Sequence, residues 1–121
     1  RNVPRRYSAW NLVCELERVV GRVGFDFVYV PRDDCSATNM SYAFVNFVDG
    51  ATARTALRRM SEMRWAGAQS ERFMKVMQAH TQGLVMNLKR FEDQVASKRR
   101  VYLENAPLVF ERGVYVPWDA A

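Results

Sequence analysis

The stretch NMSYAFVNFVDG, residues 39 to 50, restricts the fold more than any other part of this chain. Read as a strand, it places Tyr42, Phe44 and Asn46 on one side and Ala43, Val45 and Phe47 on the other. Both sides are largely apolar, whereas a strand with one wet face carries polar residues there. One side must meet a core. The other must be covered or must serve as a surface, and the segments around the strand decide which folds allow this.

Upstream, Ser8 is a good N-cap, and Trp10, Leu12, Val13, Leu16, Val19 and Val20 recur at helical spacing until Gly21, which predicts a helix over about 9–20. FDFVYV at 25–30 is rich in aromatic and β-branched residues and ends at Pro31, so it reads as a strand. The polar loop PRDDCSATN then leads into the opening stretch. Asp49 caps a second helix in which Ala53, Ala56, Leu57 and Met60 form one stripe, with Arg54, Arg58 and Arg59 around it as a solvated face, until WAG at 65–67 turns the chain. RFMKVMQA at 72–79 reads as the following strand, and RNV at the front as the tail of a strand that starts before Arg1. The resulting order, βαββαβ, is that of an α+β, ferredoxin-like sandwich: an antiparallel sheet with two helices on one face.

Residues 1–80 are thus expected to form the core unit, with a truncated first strand, and residues 81–121 a C-terminal extension. In the extension, Leu84, Val85, Leu88, Phe91 and Val95 predict a third helix over about 82–96, and LVF and VYV flanking ERG predict a hairpin over about 107–117. Residues 113–117 are a candidate to pair near the gap left by the first strand.

With 121 residues and 49% hydrophobic content, the chain suits one core and leaves no room for two domains. A net charge of +5 and a pI near 9.6 favour an acidic partner without naming it. Cys14 and Cys35, with His80 as the one histidine, supply neither a zinc cluster nor a disulfide framework, which fits an intracellular protein of the nucleus, the cytoplasm or both. No run approaches the roughly 18 apolar residues that span a bilayer, and no signal peptide is visible, so no membrane association is expected. Asp33 and Asp34 lack further carboxylates for a metal, and no nucleophile motif accompanies His80. The expectation is a non-enzymatic chain with no cofactor, no metal and no small-molecule substrate. Cys14 is expected in the core.

On such a sheet, Tyr42 and Phe44 would point away from the helices, and exposed rings on a flat sheet are stacking platforms for unpaired bases. MSYAFVNF resembles the ribonucleoprotein octamer of the RNA recognition motif (RRM) family, with Tyr42 and Phe44 on the two stacking positions and Ala43, Val45 and Phe47 on the core-facing ones. Met40 stands where the octamer has a basic residue, and Ser41 where it has glycine. RNVPRRYS, FDFVYVPRD, YAFVNF, the tryptophan at 65 and SERFMKVMQAHTQG, in that order, are similar to the C-terminal RRM of the Mei-two-like meiosis regulators. The resemblance covers about residues 1 to 90. It implies a non-enzymatic module that binds single-stranded RNA, with a helical extension, in post-transcriptional regulation. Arg5, Arg6, Gln78 and His80 depart from that family's pattern and bear on nucleotide preference.

Strand phase extends the surface. If Val28 and Val30 face inward with Val45 and Phe47, then Phe27 and Tyr29 face the platform; Met74 and Val76 inward place Lys75 and Met77 outward. The RNA-binding set is then Phe27, Tyr29, Tyr42, Phe44, Asn46, Lys75 and Met77, with Asn2, Arg5, Arg6, Lys98, Arg99 and Arg100 around it. The rings stack bases, lysine and the rim arginines attract phosphates, and Asn46 is placed to hydrogen-bond a base edge. A second reading stays open: a protein-interaction RRM whose sheet face is covered by its own third helix, by a protein partner or by a second copy in a homodimer.

Overall fold

The computed structural model describes residues 1–32, 38–63, 65, 74–79, 81–97 and 106–118. Helix α1 (Ala9–Val20) begins where Ser8 caps it: the Ser8 hydroxyl accepts from the Asn11 amide at 3.2 Å, and the Asn11 side-chain oxygen accepts from the Ser8 amide at 2.8 Å. It ends at Gly21, with φ +79. Leu12, Val13, Leu16 and Val19 are buried along one stripe. Cys14 is exposed, against expectation. At 100° per residue it lies about 200° around the helix from Leu12, on the wet side. The buried place on the flank of the stripe goes instead to Glu15, whose carboxylate accepts from the Tyr7 hydroxyl at 3.0 Å. Desolvation first, and then this bond, push the Tyr7 hydroxyl up to about 12.

Strand β1 (Phe25–Tyr29) pairs antiparallel with β2 (Phe44–Phe47), Val28 opposite Val45 and Tyr29 opposite Phe44. Helix α2 (Gly50–Met60) follows, capped by Asp49, whose carboxylate accepts from the Thr52 amide at 2.7 Å. Ala56 and Met60 are buried against α1, and Arg59 donates to the Val19 carbonyl at 3.0 Å. Arg54, Arg58 and Arg59 are exposed, away from the platform side, as the helical stripe predicts. The two helices share one core with Phe25, Val28 and Val30 of the β1 region and with Val45 and Phe47 of β2.

The expected first and last strands do not form ladders. Arg1 and Lys75 exchange backbone bonds (2.6 and 3.5 Å), Val3 donates to the Ser41 carbonyl at 3.1 Å, and Met74 donates to the Met63 carbonyl at 2.8 Å. The N-terminal segment therefore lies between residues 74–76 and the octamer, where the βαββαβ order places it, joined to residues 74–79 by the Arg1–Lys75 backbone bonds. Met74 is buried, Val76 packs on the core, and Lys75 and Met77 are exposed, which is the expected phase. Residues 72 and 73 of that expected strand lie outside the described residues.

Two other strands complete the sheet. The tail forms the hairpin β3 (Leu108–Glu111) and β4 (Val114–Val116), and the sheet order is β2-β1-β3-β4, antiparallel throughout. Its two-residue turn has φ +51 at Arg112 and +83 at Gly113, the signs that match strand twist in a tight hairpin. Residues 113–117 do not fill the gap beside Arg1: the hairpin joins the opposite edge, along β1, where Phe110 reaches the core and meets Phe25 edge-on at 5.3 Å and Trp10 at 5.9 Å. The far edge was open for pairing, and the α1 flank supplied apolar surface beside it. Helix α3 (Leu84–Ser97) follows the irregular segment 74–79 and lies on the other face.

Because Phe110 belongs to the same core as α1 and β1, Phe110→Ala is expected to destabilise the whole unit by about 3–5 kcal/mol, measured by urea unfolding followed by far-UV circular dichroism. An unchanged midpoint would mean that the hairpin is a detachable tail.

Candidate nucleic-acid interface

The surface is organised by two irregularities of the backbone, one within β1 and one before β2. In β1, Phe25 opposes Phe47 while Phe27 opposes Asn46, so Asp26 is an extra, bulged residue. Simple alternation would send Phe25 and Phe27 to one face. With the bulge, Phe25 enters the helix-side core while Phe27 joins Tyr29 on the other face. The second irregularity is Ser41, at φ +64, a left-handed conformation that favours glycine. The octamer's glycine belongs at this position, and here serine adopts its backbone.

Asn39 holds that turn. It is 1% exposed; its side-chain NH₂ donates to the carbonyls of Pro4 (2.7 Å) and Tyr7 (3.0 Å), and its side-chain oxygen accepts from the Ser41 amide at 2.7 Å. Its own amide donates to the Arg5 carbonyl at 3.0 Å. One asparagine thus fixes the loop carrying Arg5 and Arg6, both exposed, against the start of the octamer. Asn2, half-buried at φ +63, precedes this loop.

Tyr42 and Phe44 are both half-exposed, and their rings meet edge to face at 5.7 Å. Asn46 stands beyond them. Its NH₂ donates to Asp26 at 2.8 Å and its oxygen accepts from the Gly83 amide at 3.1 Å, so it ties the bulge to the start of α3. Partial burial raises the Asp26 carboxyl above its usual range, and the bond from Asn46 offsets part of this.

Phe27 is 2% exposed and does not offer a free ring. It faces the platform side as alternation from Val28 predicts, but α3 covers it. Phe91 of α3 is buried and meets Tyr29 edge-on at 5.2 Å and Trp118, beyond the hairpin, at 5.0 Å. The third helix therefore covers the β1 half of the face and leaves the rings of the octamer partly open. Arg90 of α3 sits with its guanidinium carbon 5.9 Å from the centre of the Phe44 ring. Lys75 and Met77 lie at the other side, exposed, with Met77 61% accessible. Lys98, Arg99, Arg100 and His80 lie outside the described residues, as do Asp33, Asp34 and Cys35.

Asp26, Asn39, Arg90 and Trp118 were not legible as part of this surface. Asp26 sits in a run that alternation alone renders as regular strand, and the side-chain bonds of Asn39 span more than thirty positions. Arg90, three residues after Asn87 and six after Leu84, was within reach of the helical pattern once α3 was known to lie on the platform face.

Residues 1–92 match the family described as RNA recognition motif 2. The chain belongs to that family. Among similar proteins, Protein MEI2-like 6 of Oryza sativa subsp. japonica is 37% identical over 102 residues, covering 69% of this chain and 32% of the relative. Meiosis protein mei2 of Schizosaccharomyces pombe is 22% identical over 126 residues, 99% of this chain and 16% of the relative. Protein MEI2-like 1 of Arabidopsis thaliana is 23% identical over 93 residues, 77% and 10%. This RRM spans about a third or less of the length of these relatives. No helix among the described residues is long and apolar enough to cross a membrane.

Two substitutions test the irregularities. Ser41→Gly is expected to raise stability by up to about 1 kcal/mol in urea unfolding, by relieving a left-handed backbone; a loss would show that the serine side chain holds the turn. Asp26→Asn keeps an oxygen for Asn46 and removes a partly desolvated charge. Because the folded state raises this carboxyl, it binds a proton more readily than the unfolded chain, so the group's contribution falls as pH rises through the raised value. The variant should be at least as stable as the wild type at pH 7, with the gap closing towards pH 4, as read from unfolding midpoints across that range.

Proposed function

We propose that this RRM binds single-stranded RNA across the sheet face that carries Tyr42 and Phe44, with residues 1–80 as the RNA-binding core and 81–121 as an extension that completes the sheet and walls one side of the face. Membership of an RNA recognition family supports an RNA-binding module. The observation that carries the finer reading is the pair of half-exposed rings at the family's stacking positions, 5.7 Å apart and held at right angles. Lys75, Arg5 and Arg6 are exposed cations around them, suited to phosphate oxygens. Phe27 and Tyr29 support the face from below α3. Met77 offers an apolar contact for a further base, and Asn2 borders the loop of Arg5. The basic run Lys98, Arg99 and Arg100 follows α3 in sequence and extends the same charge.

Asn46 enters this reading differently from the initial expectation. One N–H donates to Asp26 and the oxygen accepts from Gly83, so it positions the wall of the site, and its second N–H and second lone pair are the groups it has for a base edge. The names of the relatives refer to meiosis. A post-transcriptional role in that process, in the nucleus or cytoplasm, is the corresponding proposal for this chain.

The test is fluorescence anisotropy with a labelled random-sequence RNA of eight nucleotides, at two salt concentrations. Each stacked base is worth about 1–3 kcal/mol, so the Tyr42→Ala, Phe44→Ala pair is expected to bind at least tenfold more weakly with its circular dichroism unchanged, and added salt to weaken the wild type steeply. Equal, weak binding by both proteins would mean that charge alone attracts RNA and would leave the face to a protein partner.

A further inference from the structure

Between α3 and the octamer lies a shallow cleft that opens to solvent. Phe27, Tyr29 and Phe44 form its floor, and Asn87, Arg90 and Gln94 rise along α3 as its wall. We propose that this cleft is a base-binding slot, in which the Arg90 guanidinium closes over one face of a base whose other face rests on the Phe44 ring. The proposal rests on the reading of the face as an RNA site. It assigns α3 a place in recognition, as a wall of the slot.

Three observations carry it. The first is the cation itself: Arg90 lies over Phe44 at 5.9 Å, and its guanidinium donates to the Thr81 hydroxyl at 3.0 Å, which orients the planar group while leaving further N–H donors free. The second is spacing. A base held between two planar groups needs about 6.8 Å between them, twice the stacking rise of 3.4 Å; with its guanidinium carbon 5.9 Å from the ring centre, Arg90 must swing outward to admit one. Arg90 is an exposed, long side chain and reaches that separation by changing rotamer.

The third is the anchoring of the helix. Phe91 is buried between Tyr29 and Trp118, and the Gly83 amide is held by Asn46 at the start of α3. A helix fixed at both of these places stays on the sheet while Arg90, on its flank towards Phe44, moves. The side-chain oxygen of Asn87, whose NH₂ donates to the carbonyls of Thr81 and Gly83, and the amide of Gln94 border the same space. A flat occupant with polar edges and an anionic backbone matches a floor of rings, a wall of amides and a cationic roof; a nucleotide within RNA has all three properties.

The test compares Arg90→Ala and Arg90→Lys with the wild type, using the eight-nucleotide random RNA and a second RNA carrying 2-aminopurine, whose fluorescence falls on stacking. Both substitutions are expected to weaken binding about tenfold, to leave the thermal melt unchanged and to reduce the 2-aminopurine quench. Lysine should keep the salt dependence of the wild type without restoring affinity, since it retains charge and loses the plane. Full rescue by lysine overturns the slot and makes Arg90 a phosphate contact. Tighter binding by Arg90→Ala also overturns it, because α3 would then obstruct the RNA. If the wild type binds and the Tyr42→Ala, Phe44→Ala pair fails while both Arg90 variants bind normally, the slot alone falls. A wild type with no affinity for RNA removes the parent reading as well, and displacement of no RNA but capture of an aromatic peptide would give the cleft to a protein ligand.

Discussion

The bulge at Asp26 is the constraint on which both faces of the sheet depend. One extra residue shifts the phase of β1 between Phe25 and Phe27, so that two phenylalanines two positions apart serve two different cores. Phe25 fills the space under α1 beside Phe110. Phe27 lies under α3. A regular strand would have driven both to one side and left the other with a hole of aromatic size, an error that costs about 3–5 kcal/mol at a single site. The bulged residue is an aspartate, and its carboxylate accepts from Asn46, which in turn receives the amide that opens α3. The kink and the docking of the third helix are therefore one hydrogen-bonded unit.

Strand β1 ends up enclosed on every side: β2 and β3 along its edges, the helix-side core on one face and α3 on the other. It is the second strand of the expected βαββαβ order, which in a four-stranded unit stands at the edge. The hairpin changes its role. By supplying β3, the tail moves the edge of the sheet outward and adds Phe110 to the α1 core and Val109 to the opposite side. Helix α1, the hairpin and α3 thus pack around this strand, while the opposite margin, near Arg1 and Lys75, is held by backbone bonds and by Trp65, whose indole N–H donates to the Arg1 carbonyl at 3.3 Å.

What was legible in the sequence was local. Ser8, Asp49 and Gly21 mark the helix ends because caps act within a few residues, and the third helix and the hairpin announce themselves by periodicity. The phase of the octamer was legible too, since alternation from Val45 and Phe47 needs no knowledge of partners. Cys14 was misplaced because it adjoins the apolar stripe in sequence while lying across the helix from it. The hairpin's docking edge was misjudged because pairing across some eighty positions depends on which apolar flank is free, and the aromatic contacts of Trp10 with Phe110 and Tyr115 are visible only once α1 is in place. For the surface itself, the sequence named the rings and missed what holds them. The bonds of Asn39 to Pro4 and Tyr7, and of Asn46 to Gly83, join segments that no periodicity relates.

The relocated edge has a consequence for behaviour in a crowded solution. A sheet ending in β1 would present a five-residue row of unpaired amides and carbonyls flanked by phenylalanine, tyrosine and valine, a template for stacking one molecule on the next. Ending instead in β4, it presents three residues, bounded by a tight turn at Arg112 and by Pro117, which has no amide hydrogen to extend a ladder. The tail acts as a guard strip: it exchanges a long adhesive border for a short one that a neighbouring chain has little room to grip.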